Sequence, residues 1–304
     1  MGYSSPKALE MAVKDAAKAS PLDTNRAIAG FYFHRLLYRV FSESSTPFVL
    51  KGGQGMLART ADARATRDID LATDRLDVDA AVDELKRLAA KDADDFVTFE
   101  FRGVAPIKGE DEYRDGYTVV FDAFIGPKKA QRVSVDLVAD SIAIGEPDYI
   151  APADRIDVQG IPVCDYPVYP SARAIADKVC GIVERHGGRP SSRVKDLMDI
   201  AVYALTEDFD AEILEAALKR EASARRLSLG SEFALPEEWG DTHEAQYLKL
   251  AAQARIPQDM SALSDALAIS KALLDPVLSD TAEGSWSHAV RAWREDACKD
   301  YKSN

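Results

Sequence analysis

Three runs, "FVTFEFRGVAPI" (96–107), "GYTVVFDAFI" (116–125) and "QRVSVDLVA" (131–139), follow one another with no helical stretch between them. Each is rich in β-branched and aromatic residues and is bounded by glycine, proline or charge, which is the pattern of strands. Successive strands without crossover helices exclude a sheet built from repeated βαβ units. "GQGMLA" (53–58) fits the loose G-x-G-x-x-A dinucleotide fingerprint, but that fingerprint requires such units and is discounted here.

Helical periodicity surrounds this β region. Residues 24–44 repeat Ile28, Phe31, Leu36, Val40 and Phe41 near helical spacing. "TPFVLKGG" (46–53) reads as a short buried strand ending in two glycines, with a helix over 54–61. "RDIDLA" (67–72) reads as a strand, and residues 77–93 as an amphipathic helix. Pro147, Pro152, Pro162, Pro167 and Pro170 mark a connection holding a short strand or two. From Ser171 the pattern is helical. A helix over 171–186 is capped by Ser171 and ended by Gly187–Gly188, and another covers 191–206. Further helices are expected over 208–227, 241–256, 258–279 and 284–300, the last with Trp286 and Trp293 on one core-facing side. The expected fold is α+β: an N-terminal helical segment (1–45), a small mixed β-sheet core with flanking helices (46–165), and a helical C-terminal half (166–304).

Composition narrows the function. Of 304 residues, 46% are hydrophobic and 29% charged, a globular mixture with no apolar run long enough to span a bilayer. The N-terminal stretch lacks the apolar segment of a signal peptide. Cys164, Cys180 and Cys298 are odd in number and far apart, so neither a zinc pattern nor a disulfide framework is expected, and a cytoplasmic location is. His34, His186, His243 and His288 are scattered, and no G-x-S-x-G is present. The net charge of −13 argues against a broad electrostatic grip on nucleic acid. A local patch would have to come from Arg59, Arg64, Arg67, Arg185, His186, Arg189, Arg193 and Lys195.

"RATRDIDL" (64–71) concentrates the chemistry. In a strand, Asp68 and Asp70 project from one face about 7 Å apart. Like charges so placed are best tolerated with a cation between them, and carboxylate oxygens suit Mg²⁺ together with substrate phosphates. A solvated acidic face on an edge strand is the alternative. Upstream, Gly52 and Gly53 sit between a strand and a helix, where backbone N–H groups can approach a phosphate. Asp136 lies among Val133, Val135 and Leu137, and a carboxylate in so apolar a strand needs a partner; a salt bridge to an arginine, or a place on the strand's exposed face, is the alternative.

This order, strand–Gly–Gly–helix, Asp-x-Asp, then a third Asp on a later strand, resembles the DNA-polymerase-β-like nucleotidyltransferase superfamily. "FVLKGGQGMLARTADARATRDIDLA" (48–72) more narrowly resembles the AbiEii/AbiGii toxin family, which includes the MenT toxins. "AIADKVCGIVERHGGRPSSRVKDLMDIAVYAL" (174–205) resembles that family's later motifs, a helical lysine followed by Arg-x-x-Asp-Leu-x-Asp. The resemblance covers roughly residues 47–205. It implies that Gly52, Gly53 and the helix N-terminus hold the phosphates of an NTP. Asp68, Asp70 and Asp136 would bind one or two Mg²⁺ ions, with Mn²⁺ as a substitute, and Asp136 would also serve as base. Thr66 and Arg67 would lie at the nucleotide, with Thr66 a site where an antitoxin adds phosphate; a loop hydroxyl bonded to nearby backbone is the alternative. Lys178 would reach the triphosphate, with a solvent-facing lysine as the alternative. Asp199 and Asp196 would order Lys178 or Arg193 or meet the nucleotide, and an ordinary Asp196–Arg193 ion pair is the alternative. Gln54 stands where many members carry Ser or Thr, so its amide or a backbone N–H would meet the phosphate instead.

The implied activity is that of a Mg²⁺-dependent toxin that moves a nucleoside monophosphate from an NTP to the 3′ acceptor end of tRNA. Pyrophosphate is released, translation stops, a cognate antitoxin is the partner, and no membrane is involved. A protein hydroxyl or a small molecule such as an aminoglycoside is the alternative acceptor. A non-catalytic binding module would predict missing metal ligands, and all three carboxylates are present.

Overall fold

In the computed structural model the described residues are 2–43, 45–61, 63–107, 114–140, 142–252, 254, 257 and 260–295. Cys298 lies outside them. They divide into two compact units, the first Met1–Ala61 with Ala65–Pro170, the second Asp62–Arg64 with Ser171–Asn304.

The first unit is ordered around strand parity. Its elements are α1 (Pro6–Ala19), α2 (Thr24–Phe41), β1 (Val49–Lys51), α3 (Gly52–Arg59), β2 (Ile69–Thr73), α4 (Val78–Ala89), β3 (Val97–Pro106), β4 (Arg114–Ile125), β5 (Lys128–Asp140), β6 (Asp148–Ile150) and β7 (Tyr166–Val168). The seven strands run in the order β3-β4-β5-β2-β1-β7-β6. β2 pairs parallel to β5, and β1 parallel to β7. The remaining neighbours are antiparallel. Val119, Phe121, Val133, Val135, Leu137, Ile69 and Leu71 are buried on one face, against which α2 and α4 pack. Alternation along each strand turns Thr118, Asp136 and Asp70 to the other face. α2 is fastened to the start of β3 by Arg35 and Arg39, which share the buried carboxylate of Asp95 at 2.5 and 2.7 Å.

The second unit is helical with a small sheet: α5 (Ser171–Val183), α6 (Val194–Thr206), β8 (Phe209–Asp210), α7 (Ala211–Ala224), α8 (Asp241–Ala251), α9 (Leu263–Leu278), β9 (Ser285–Ser287) and β10 (Ala292–Arg294). Among the described residues no helix is long and apolar enough to cross a membrane.

Several sequence expectations need correction. The sequence pattern places one helix, over 24–44, in the N-terminal helical segment, and α1 is a second; Ser5 caps it by accepting from the Ala8 N–H at 3.2 Å, and Pro6 opens it. α3 begins at Gly52, two residues early, because glycine takes the φ of +58° at that bend. Asp68 precedes β2 rather than lying in it. The helix expected from 284 is instead a hairpin over its described part. Trp286 and Trp293 are register partners with ring centroids 6.0 Å apart. A seven-residue spacing suits a helix, but a turn at Arg291, with φ +55°, reverses the chain first. Trp286 then pairs with Phe209 of β8.

Candidate active site

The carboxylates of the first unit meet through register. Asp70 of β2 and Asp136 of β5 are direct partners in a parallel pair, so their Cα atoms lie one strand spacing apart, about 4.8 Å, with both side chains on one face. Asp70 also pairs with Lys51 across β1, which puts it beside the glycine turn. A Cβ on Gly52 would fall 1.9 Å from Asp70 Oδ2. That site therefore requires glycine twice, for its positive φ and for the carboxylate resting on it. Gly52→Ala is expected to cost at least about 1 kcal/mol for the left-handed backbone alone. It must also push Asp70 off the turn, so the thermal melting temperature should fall; an unchanged one would contradict this geometry.

Hydroxyl groups orient the other two carboxylates. Thr66 Oγ1 donates to Asp68 Oδ1 at 2.9 Å, and Thr118 Oγ1 donates to Asp136 Oδ1 at 2.6 Å. Neither Asp68 nor Asp136 has an ion pair among the described residues, and both are half-buried. Half-buried carboxylates without a cation are suited to acquire one. They are all-oxygen donors, which is the preference of Mg²⁺ rather than of zinc. No three acidic, imidazole or thiol groups among the described residues are gathered tightly enough to enclose an ion unaided. Substrate oxygens would have to complete the shell, as is usual for Mg²⁺.

Around this face, Lys51 lies 4.3 Å from the Tyr169 ring centroid and 3.6 Å from Asp140 Oδ2. Arg67 is exposed and has no ion pair among the described residues. Gly53 is buried in the first turn of α3. Gln54 is 1% exposed, and its amide nitrogen donates to Asp154 Oδ2 at 3.1 Å. The amide expected at a phosphate is thus engaged by a buried carboxylate.

The later motif forms a buried charge network within the second unit. Asp196 and Asp199 lie three apart on α6 and face Lys178 of α5, whose Nζ is 2.7 Å from Asp199 Oδ2 and 3.4 Å from Asp196 Oδ1. Arg64 grips Asp199 with two bonds of 2.9 and 3.0 Å. Arg193 donates to Asp196, and its guanidinium lies against Gly181, where a Cβ would come within 2.9 Å of it. Lys178 is thus a buried cation, 7% exposed, and not a solvent-facing lysine. Burial alone would lift the Asp199 carboxyl, but Lys178 and Arg64 outweigh it and hold it below the ordinary carboxylate range. Burial would lower the Lys178 ammonium, and Asp199 and Asp196 overcome that to raise it.

A depressed carboxyl contributes stability at pH values above its unfolded value near 4, and that contribution is lost as pH falls below it through the folded value. Acid unfolding of the wild type should therefore set in below about pH 4, and Asp199→Asn should flatten this limb of the stability curve. An identical acid limb in the variant would count against the network.

Sequence reasoning overlooked Thr118, Arg64 as the partner of Asp199, and Asp154. Thr118 could be found only from strand register, and Asp154 only from the fold that brings it back over Gln54 after 100 residues. The roles of Cys164 and Cys180 are modest: both are free thiols, the second buried.

A sequence model of the family described as nucleotidyl transferase AbiEii toxin, type IV TA system, matches residues 35–286. Among solved structures the chain is similar to MenT4, a nucleotidyltransferase toxin from Mycobacterium tuberculosis H37Rv. That match has 14% identity and a TM-score of 0.52, over 90% of this chain and 98% of that one. At such identity the likeness speaks for the fold. JHP933 from Helicobacter pylori matches at 14% identity and TM-score 0.44, over 83% of this chain and 92% of that one. No curated protein matches the chain at significance.

Proposed function

Because this chain belongs to the AbiEii nucleotidyltransferase toxin family of type IV toxin–antitoxin systems, we propose that it transfers the nucleoside monophosphate of an NTP to a tRNA 3′ end and so blocks translation. The observation that carries the reading is the register pairing of Asp70 with Asp136, with Gly52 directly beneath Asp70. Phosphate-binding N–H groups and paired acidic groups on one face are what nucleotidyl transfer needs.

Asp68, Asp70 and Asp136 would hold Mg²⁺. The ion, when bound, supplies neutralisation of triphosphate charge and acidification of the attacking hydroxyl. The residues do the rest. Backbone N–H groups of the Gly52–Gly53 turn hold the β- and γ-phosphates. The acceptor oxygen attacks the α-phosphorus as the bond to the β-phosphate oxygen breaks, and pyrophosphate leaves with that electron pair. The acceptor proton passes to Asp136, oriented by Thr118. Arg67, exposed beside Asp68, meets the phosphates as they arrive. Thr66 supports Asp68, and a phosphate added to its hydroxyl by an antitoxin would break that bond and repel the nucleotide. Lys178, Asp196, Asp199 and Arg193 make up the later motif, for which the resemblance implies a role of the Lys178 ammonium toward the triphosphate. The cytoplasm, where NTP and tRNA occur, is the proposed site of action.

The net charge of −13 favours a second acceptor class, a protein hydroxyl or a small molecule such as an aminoglycoside. Incubation with labelled NTPs and separate pools of total tRNA, protein and small acceptors decides between them. The reading expects label in tRNA from wild type and none from Asp68→Ala. Label confined to protein or small molecules would move the acceptor, and equal labelling by both enzymes would remove the mechanism.

A further inference from the structure

Gln54 is buried, and so is the side chain it reaches for. It is the third residue of α3, counted from Gly52. Its amide nitrogen donates to Asp154 Oδ2. The other oxygen, Asp154 Oδ1, lies 3.3 Å from His34 Nε2, and His34 Nδ1 lies 3.1 Å from the Tyr166 hydroxyl. All four side chains are less than a tenth exposed. The Tyr166 hydroxyl also donates to the His34 carbonyl at 3.4 Å, so it holds the histidine at both ring and backbone while Nε2 faces Asp154. The segment carrying Asp154 is tied to the same helix a second time, because the Ala153 N–H donates to the Ala58 carbonyl at 2.9 Å. One loop thus grips α3 at its first turn by a side chain and near its last by backbone. Among the described residues neither His34 Nε2 nor Asp154 Oδ1 has another hydrogen-bond partner, so there each depends on the other for what satisfaction it has.

We propose that Asp154 is a positioning residue: by holding Gln54, and being backed by His34 and Tyr166, it fixes the first turn of α3 and hence where the Gly52–Gly53 N–H groups stand relative to Asp70. This rests on the transferase reading for its consequence, though not for its geometry. A hydroxyl at position 54 could meet a phosphate directly. This chain instead directs its longer amide inward and leaves the phosphate to backbone N–H groups, whose placement then depends on the brace.

Two measurements on the full-length protein test it. Hydrogen–deuterium exchange needs no activity: amides of residues 56–59, whose intrahelical acceptors are the carbonyls of the first turn, should exchange at least about tenfold faster in Asp154→Ala and Gln54→Ala, since loss of a bond to a charged group is worth about a factor of ten or more. Amides of β4 and β5 should be unchanged. Asp154→Asn keeps an acceptor for Gln54 and should return exchange to within about threefold of wild type. The double variant should be no worse than Asp154→Ala. In NTP labelling, Asp154→Ala should raise KM for NTP about tenfold with kcat within about twofold, a split that general unfolding does not produce. Unchanged exchange at 56–59 in both single variants overturns the brace, as does faster exchange spread evenly over β4 and β5. If exchange behaves as expected but wild type transfers no nucleotide, the transferase reading fails and the brace stands.

Discussion

Asp70→Asn is expected to lower nucleotidyl transfer by about a thousandfold while leaving the fold intact, because on the proposed mechanism it removes charge where several kcal/mol of transition-state stabilisation would be assembled. Asparagine has the same shape, so contact with Gly52, where the carboxylate oxygen lies, is preserved. Its register with Asp136 and Lys51 is set by backbone pairing and does not depend on the charge. Removing a negative charge next to Asp136 relieves repulsion, so melting should change by no more than about 2 °C. Activity and melting together make the result decisive. A thousandfold loss with an unchanged melt assigns Asp70 to the chemistry. Retention of more than about a tenth of wild-type transfer would mean that the paired carboxylates do not carry the reaction.

That the two carboxylates would face one another was only partly legible in the sequence. The spacing of Asp68 and Asp70 suggested one face of a strand, yet Asp68 sits before β2 and its orientation comes from the Thr66 hydroxyl. The parallel pairing of β2 with β5 is a non-local fact: 66 residues separate Asp70 from Asp136, and local patterns do not encode which strand lies beside which. The β-meander was readable because alternation is local and strong there. The terminal hairpin was not, because Trp286 and Trp293 satisfy helical spacing and cross-strand pairing equally well, and only the pairing of Trp286 with Phe209 decides. Composition hid the character of Lys178 for a related reason. A lysine beside an apolar stripe reads the same whether it points to solvent or inward, and its burial depends on Asp196 and Asp199 arriving from the next helix.

Lys178→Ala should destabilise the protein by about 3 kcal/mol, at the lower end for one partner lost from a buried ion pair. The ammonium is enclosed, and its removal leaves Asp199 beside Arg64 and Asp196 beside Arg193. Those two arginines limit the loss, because neither carboxylate is left wholly without a cation. Changing the other partner costs charge and one acceptor: Asp199→Asn keeps a single side-chain oxygen, so Arg64 cannot keep both of its bonds and Lys178 loses its anion. The two changes share a partner, so their effects should not add. A double-mutant cycle read by urea unfolding should return a coupling energy of about 1–3 kcal/mol. A cycle that closes with no coupling would mean that the 2.7 Å contact between Lys178 and Asp199 contributes nothing to the folded state. The proposed contact of Lys178 with the triphosphate predicts something separate, a fall in transfer measured well below the melting point of the variant. Lys178→Met, which keeps much of the stem's packing, should retain more stability than Lys178→Ala but lose as much activity. Equal activity in Lys178→Met and wild type would leave the lysine a role in folding alone.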